Sequence, residues 1–243
     1  MSKQTGTIID KVFHSEALQE EIPLLIYLPP TFSPLYKYSL LIAQDGKDYF
    51  QMGKIGRVAD HLLEEGKIEN IIIVGIPYRN SEDRWDKYDP YGDKFEAYKR
   101  FLVRELLPYL EEEYPTSHMG MGRALIGDSL GATVSLMTAL EYPHTFGKTA
   151  LHSPLVNEKV LEAVEQFSYP HLMRIYHVIG NKETAVQTTR QERLDFLSPN
   201  RELNLIMESK GFPSFFEEID GGDHTWRSWQ ADMERTLLWL FEK

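Results

Sequence analysis

Three short, unbroken apolar runs constrain the fold of this 243-residue chain more than any other feature. They occupy residues 40–43, 71–74 and 124–126. Runs of this length that are rich in branched residues are typical of strands buried on both faces of a sheet. Such a sheet needs helices on both sides, so the runs indicate a layered α/β protein.

Further strands are predicted at residues 174–179 and, from weaker patterns, at 147–152 and 215–219. Residues 5–13 and 20–28 are predicted as two leading strands, the second ended by the prolines that follow it. An antiparallel start followed by alternating strands and helices predicts a mostly parallel sheet of about eight strands.

Helical spacing of apolar residues predicts helices at 55–63, at 95–110, from Ala132 onward and at the end of the chain from Trp226. Gly66 follows the first of these as its expected C-cap. Pro108 is expected to kink or break the second helix locally. Ligands bind at the carboxyl ends of parallel strands, so the residues just after each strand are the candidates for chemistry.

Composition excludes several classes of protein. Lys and Arg number 26 against 37 Asp and Glu, a net charge of −11, which disfavours nucleic acids and anionic membranes as partners. The absence of cysteine excludes disulfides, thiolate metal sites and a cysteine nucleophile. No signal peptide, bilayer-length apolar run, repeat or linker is present, so we expect one cytoplasmic domain over residues 1–243.

A candidate nucleophile follows the apolar run 124–126. The next residues are Gly127-Asp128-Ser129-Leu130-Gly131, and a helical pattern then begins. This G-x-S-x-G pattern between a strand and a helix is typical of a serine held on a sharp, strained turn. The glycines avoid collisions within the turn, and the Leu130 amide lies at a helix N-terminus, where an anion is stabilised. The alternative is a glycine-rich turn with a solvated serine.

A serine hydroxyl needs a general base, and His224 is the best candidate among eight histidines. It lies in a loop after the last predicted strand and before the terminal helix. That position completes the chain order of serine, acid and histidine known from serine hydrolases. The alternative is a polar loop residue. His152 and His177 fall within or at the ends of strands, which favours hydrogen-bonded core histidines.

The acid that orients the base should follow the strand at 174–179. Glu183 is the preferred candidate, with Glu158, Asp195 and Asp223 as alternatives. A solvated surface glutamate is the other interpretation of Glu183. Sequence order leaves these alternatives open, because such a triad is defined by its geometry.

Six segments together resemble the Putative esterase family of α/β-hydrolases, which is similar to esterase D, enterochelin-type siderophore esterases, feruloyl esterases and mycolyltransferases. The chain looks closest to small bacterial intracellular members with no assigned substrate. The segments are 40–43 with Asp45-Gly46, Glu105-Leu106-Leu107-Pro108, 126–131, His152-Ser153-Pro154, Ile179-Gly180 and 221–226.

The resemblance implies an α/β-hydrolase fold with Ser129 as nucleophile, His224 as base and Glu183 as acid. It also implies an oxyanion hole made by the backbone amide of Leu130 and a second amide from the turn after the third strand. The backbone amide of Lys47 is the preferred second donor there, and the amides of Gly46 and Asp48 are the alternatives.

The substrate surface is predicted from neighbouring segments. Asp45 and Gly46 are candidate substrate-binding residues, although a simple tight turn is the alternative. Residues 77–92 are expected to form a long loop at the active-site edge, where Arg79, Arg84 and Trp85 could stack on a ring or pair with an anion. A solvated loop is an equally good interpretation. Trp226 is a further candidate, unless it only faces the core.

The functional hypothesis is a serine carboxylic-ester hydrolase that acts through an acyl-enzyme on a small-molecule ester or thioester, with no cofactor and no metal. Alternatives are an acyltransferase that uses the same acyl-enzyme, a siderophore trilactone esterase, and a non-catalytic binding protein on a hydrolase fold. A monomer and a homodimer are both open.

Overall fold

The computed structural model describes residues 5–243 and is built around one eight-stranded sheet. The strand order is β1-β2-β4-β3-β5-β6-β7-β10. The strands are β1 (Thr7–Ser15), β2 (Glu20–Leu28), β3 (Ser39–Gln44), β4 (Ile71–Ile76), β5 (Arg123–Asp128), β6 (Lys148–His152), β7 (Arg174–Gly180) and β10 (Ser214–Ile219), and β8 (Val186–Gln187) pairs with β9 (Arg193–Leu194) in a separate hairpin.

Only the start of the sheet is antiparallel. Strand β2 pairs antiparallel with β1 and with β4, and every other pair in the sheet is parallel. All six residues of β3, β4 and β5 are buried, as their continuous apolar character requires. The predicted α/β class with a mostly parallel sheet of about eight strands is confirmed.

Helices cover both faces of the sheet. Helices α2 and α9 pack against one face, and the remaining long helices pack against the other. The helices are α1 (Gly46–Gln51), α2 (Ile55–Glu64), α3 (Ser81–Tyr88), α4 (Phe95–Arg100), α5 (Leu107–Glu113), α6 (Leu130–Glu141), α7 (Glu158–Gln166), α8 (Leu197–Lys210) and α9 (Trp226–Phe241).

The predicted break at Pro108 takes the form of a π-helical segment over Phe101–Leu106, which joins α4 to α5. The Leu107 amide donates to the Leu102 carbonyl, five residues back. Proline lacks the N–H that would continue the α-helical ladder, so the wider π turn lets the chain continue without ending the helix.

The expectation of a long loop over residues 77–92 is wrong. Helix α3 occupies the middle of this segment. The Asn80 side chain accepts a 2.9 Å hydrogen bond from the Asp83 amide, and acidic residues occupy the first turn. This N-cap and the favourable dipole interaction stabilise a helix whose polar sequence carries little apolar periodicity.

None of the helices in residues 5–243 is both long and apolar enough to cross a membrane. The cytoplasmic location stays a prediction. The single-domain assignment of residues 1–243 also stays a prediction, and its first four residues lie outside the described part of the chain.

Gly66 provides a test of the local structure that ends α2. Its φ is +68°, directly after the C-cap Glu65, and the space around it is open. Gly66→Ala should lower the free energy of unfolding by about 1 kcal/mol, because only the left-handed backbone penalises a side chain here. Urea unfolding would measure this. Gly66→Asn should cost less, since asparagine tolerates this conformation, and equal stability of all three proteins would contradict the explanation.

Candidate active site

Ser129 occupies a strained turn between β5 and α6. Its φ of 52° and ψ of −123° are sparsely populated for any residue with a side chain. Its amide donates a 2.9 Å hydrogen bond to the His152 carbonyl. A Cβ at Gly127 would lie 2.1 Å from the Gly131 carbonyl carbon, and one at Gly131 would lie 2.9 Å from Asp45 Oδ2. Both glycines of the motif are therefore required by close contacts.

His224 is hydrogen-bonded to Glu183. Its Nδ1 lies 2.6 Å from Oε2 of the carboxylate, which is only 1% exposed. The other carboxylate oxygen accepts from the Ser153 hydroxyl at 2.7 Å and from the Gly180 amide at 2.8 Å. Ser153 in turn accepts from Trp229 Nε1 at 3.0 Å. With both oxygens engaged, the carboxylate has a fixed orientation toward the imidazole.

Two glycines bring the loops of His224 and Glu183 together. A Cβ at Gly180 would lie 2.4 Å from the carbonyl carbon of Gly222, so the backbones after β7 and β10 touch. The imidazole also lies between aromatic rings, with centroids 4.5 Å away for Phe196 and 5.0 Å away for Trp229.

The other candidate acids have different partners. Asp223 accepts from the hydroxyls of Thr225 and Ser228. Asp195 caps the start of α8 by accepting from the Ser198 amide. Glu158 is an exposed residue in the first turn of α7. Of the four carboxylates considered from sequence, Glu183 is the one that the structure brings to His224.

Ser129 and His224 both line a cavity of about 290 Å³. Its floor and walls come from the carboxyl ends of the central strands, from α3 and from the hairpin β8–β9. The lining residues are Asp45, Asp48, Met52, Tyr78, Ser81, Arg84, Trp85, Asp128, Ser129, Leu130, Leu155, Val186, Gln187, Thr188, Thr189, Phe196, His224, Trp226 and Trp229.

The turn after β3 lies directly beside Ser129. Asp45 has a left-handed backbone with φ 54°, and α1 begins at Gly46. The Asp48 amide donates to the Asp45 carbonyl at 2.8 Å, whereas the first two amides of the helix, those of Gly46 and Lys47, have no intrahelical acceptor. Gly46 is required because a Cβ there would lie 2.2 Å from Gly75 Cα.

Arg84 is engaged by protein carboxylates. Its Nε lies 3.0 Å from both oxygens of Asp45, and its Nη2 lies 2.6 Å from Asp45 Oδ2. The same Nη2 donates to the Asp128 carbonyl at 3.0 Å and lies 3.7 Å from the Asp128 carboxylate. Arg84 therefore lines the cavity, but two aspartates hold its guanidinium. The anion-binding role expected from sequence would need a guanidinium that is free of such partners.

Asp128 is buried and directly precedes Ser129. Within residues 5–243 its Oδ1 has no hydrogen-bond partner. Burial, and then repulsion from Asp45, raise the pKa of Asp128 well above its ordinary value, although Arg84 opposes the shift. The carboxyl group is thus stabilised in its protonated form.

The other predicted substrate residues divide into two groups. Trp85 and Trp226 line the cavity. Trp85 donates to Thr189 Oγ1 at 2.9 Å, and the Arg190 guanidinium lies 4.2 Å from its ring centroid. Arg79 lies outside this cavity, where its guanidinium contacts Glu20 and Asp83.

Sequence reasoning missed several cavity residues. Asp48 and Tyr78 are joined by a 3.3 Å hydrogen bond at one wall, and Phe196 packs on His224 at another. The hairpin β8–β9 adds four consecutive lining residues, 186–189. Each of its strands has only two residues, one apolar and partly buried and one polar and exposed, which is too short for a periodic signal. In residues 5–243 no three His, Asp or Glu side chains form a group that could hold a metal ion.

The fold and this site define an α/β-hydrolase architecture, and comparison with known proteins supports the same class. A family model described as Putative esterase matches residues 15–240. A relative from Bacillus subtilis (strain 168), "Uncharacterized protein YjcH", is 52% identical over 230 residues, which cover 95% of each chain. The chain belongs to the Putative esterase family, and this membership supports an ester hydrolase activity.

Two solved structures share the fold. A ferulic acid esterase superposes with a TM-score of 0.82 and 18% identity, covering 98% of each chain. The enterobactin esterase FES from Shigella flexneri superposes with a TM-score of 0.80 and 19% identity, covering 96% of this chain and 59% of that one. The resemblance to an esterase family seen in the sequence is confirmed.

The raised pKa of Asp128 predicts a pH-dependent cost in stability. A carboxyl whose folded-state pKa exceeds its unfolded value favours folding only while it is protonated, so stability falls as pH rises through the folded pKa. Asp128→Asn removes this titration. Its stability advantage over the wild type should grow between pH 5 and pH 8, measured by urea unfolding.

The exposed Asp93, which lies outside the cavity, supplies the matched control. Asp93→Asn makes the same chemical substitution at an exposed position and should leave the pH dependence of stability unchanged. An Asp128→Asn protein with the same pH dependence as the wild type would contradict the assignment of a raised pKa.

Proposed function

We propose that this protein is a serine carboxylic-ester hydrolase in which Ser129, His224 and Glu183 act as a catalytic triad. The hydrogen bond from His224 Nδ1 to Glu183 carries the proposal. It leaves Nε2 as the basic nitrogen of the neutral imidazole, in a cavity that Ser129 also lines. Family membership supplies the class of substrate, an ester.

The proposed reaction follows the general scheme of such triads. His224 accepts the proton of Ser129 as the hydroxyl oxygen attacks the ester carbonyl. Glu183 stabilises the imidazolium that forms. His224 then donates the proton to the leaving alcohol, and a water molecule repeats the sequence on the acyl-enzyme.

The amides of Leu130 and Lys47 are the proposed oxyanion donors. Leu130 is the first residue of α6, and Lys47 is the second of α1, so neither amide has an acceptor within its own helix. The contact of Gly131 with Asp45 brings these two helix starts side by side. Two convergent N–H groups there would stabilise the negative charge of the tetrahedral intermediate.

The cavity favours uncharged esters over anionic ones. Its charged groups are Arg84 and the carboxylates of Asp45 and Asp48, and Arg84 is already paired with Asp45. The pKa of Asp48 is raised by burial and then by repulsion from Asp45, a sign of the same negative field. An anionic acyl or alcohol group would enter against this field.

Loss of the nucleophile tests the mechanism. Ser129→Ala should lower kcat for p-nitrophenyl butyrate by about 1000-fold or more, because only binding and oxyanion stabilisation remain. A fluorophosphonate probe should label the wild type and not the variant. Unchanged turnover in Ser129→Ala would contradict the assigned nucleophile, and absence of labelling and turnover in the wild type would favour a non-catalytic role.

Glu183→Gln and Asp223→Asn test which of two acidic residues orients His224. Glu183 is hydrogen-bonded to His224, and Asp223 precedes it in the sequence. The first should lower kcat by about 100-fold or more, because the amide cannot stabilise the imidazolium in the same way. The second removes a carboxylate adjacent to His224 in sequence but bonded elsewhere, so its kcat should stay close to that of the wild type. The reverse order would contradict the role of Glu183.

A pair of acyl groups matched in length tests the charge preference. The wild type should hydrolyse p-nitrophenyl butyrate with a kcat/KM about tenfold or more above that for p-nitrophenyl hemisuccinate, because a carboxylate near Asp48 is repelled. Asp48→Asn should narrow this ratio several-fold. Asp93→Asn should leave it unchanged, and comparable rates for the two esters in the wild type would contradict the proposed field.

A further inference from the structure

His152 is a fully buried histidine that the proposed reaction does not use. It is the last residue of β6 and is 0% exposed. Its Nδ1 lies 3.0 Å from the Tyr49 hydroxyl, and its Nε2 lies 3.0 Å from Thr236 Oγ1. Its carbonyl oxygen accepts the amide hydrogen of Ser129 at 2.9 Å. One residue therefore contacts α1, α9 and the turn that carries the nucleophile.

Tyr49 lies in α1, two residues after Lys47. Its ring is fully buried and packs edge-to-face on Trp226, with centroids 4.8 Å apart. Helix α1 has six residues, too few to be stable without tertiary contacts. The hydrogen bond to His152 is a directional contact that fixes α1 relative to the nucleophile turn.

The His152 ring is itself held from the opposite side. Asp232 Oδ2 lies 3.5 Å from Nε2 and also accepts from the Thr236 hydroxyl at 3.2 Å. Burial raises the pKa of Asp232, but the interactions with His152, Tyr176 and Arg235 together outweigh it, so the net shift is downward. A carboxylate in this position restrains the imidazole, which in turn restrains the Tyr49 hydroxyl.

Tyr49 keeps its proton under all ordinary conditions. Burial is the largest cause that raises its pKa well above the usual value for tyrosine. The phenol therefore remains a hydrogen-bonding group throughout the working pH range. Ionisation of Tyr49 does not interrupt its contact with His152.

We propose that Tyr49 and His152 are positioning residues that hold the Lys47 amide in register with Ser129 Oγ for oxyanion stabilisation. The inference rests on the proposed function. Neither side chain contacts the substrate in this scheme, so the effect should appear in the transition state rather than in ground-state binding.

Tyr49→Phe removes only the hydroxyl and tests the proposal. The variant should lower kcat for p-nitrophenyl butyrate about tenfold, because a small displacement of an oxyanion donor weakens its hydrogen bond, while KM stays within about twofold. The inhibition constant of a trifluoromethyl ketone, which forms a tetrahedral adduct, should rise by the same factor as kcat/KM falls.

Tyr38→Phe is the matched control for loss of a buried phenol. The Tyr38 hydroxyl accepts from the Ser33 amide at 2.8 Å, and Tyr38 precedes β3 at the end of the sheet opposite α1. Both variants should lose thermal stability, but Tyr38→Phe should keep kcat within about twofold of the wild type. An equal loss of kcat in the two variants would identify a merely structural role and overturn the proposal.

A double-mutant cycle tests whether Tyr49 acts through the Lys47 amide. Lys47→Pro deletes that amide at a helix position where proline is tolerated, and Lys47→Ala keeps it. Tyr49→Phe should lower kcat in the Lys47→Ala background and have no further effect in the Lys47→Pro background. Additive effects would overturn the proposed route.

The positioning role can fail while the proposed serine mechanism holds, and the two results can be told apart. Wild-type turnover and its loss in Ser129→Ala establish or refute the serine mechanism first. If Ser129→Ala is inactive and Tyr49→Phe retains full kcat and inhibitor affinity, the positioning role alone is wrong.

Discussion

The backbone of Ser129 is the constraint on which the active-site architecture depends. A side chain at φ 52° and ψ −123° is unfavourable by about 1–3 kcal/mol unless the surroundings enforce it. Here the enforcement is steric, because the two flanking glycines allow β5 and α6 to approach within contact distance. The amide bond to His152 then fixes the turn against the next strand. The strain places the hydroxyl above the sheet edge and the following amides at a helix start.

Parallel strands explain why residues distant in sequence meet at this turn. The turn after β3, the end of β5, the end of β6, the loop after β7 and the loop after β10 all emerge at the same edge of the sheet. Each contributes one part of the site. The close contact between Gly180 and Gly222 brings the loops of Glu183 and His224 together.

The sequence predicted the features that depend on periodicity and on fixed spacing. The buried strands, the helix at 55–64, the glycine after it and the terminal helix all follow from apolar patterns, and the structure has them within a few residues. The serine turn was predictable because its motif encodes a steric requirement. Glu183 was predictable only as a preference among four carboxylates, since its pairing with His224 depends on two loops that no local pattern connects.

The remainder depends on tertiary contacts or on polar capping. Helix α3 was missed because its stability comes from the Asn80 cap and from contacts of Trp85, not from an apolar stripe. The hairpin β8–β9 has strands of two residues, too short for a periodic signal. The partners of the arginines could not be predicted for a different reason. A sequence shows that Arg84 is cationic, but only the fold shows that Asp45 already neutralises it.

Arg84 is the cation that contacts the two aspartates beside Ser129. Asp45 follows β3 and Asp128 ends β5, and repulsion from Asp45 adds to burial in raising the pKa of Asp128. Arg84, from α3, spans both and so ties the helix to the strand ends. Removing the cation would leave the buried Asp45 carboxylate uncompensated, a more costly change than the loss of a surface ion pair. In the proposed mechanism, the negative field of these aspartates would stabilise an imidazolium at His224 but oppose an oxyanion at the ester carbonyl. In our proposal, Tyr49 and His152 hold backbone amide donors in place, and these donors stabilise the oxyanion against the negative field.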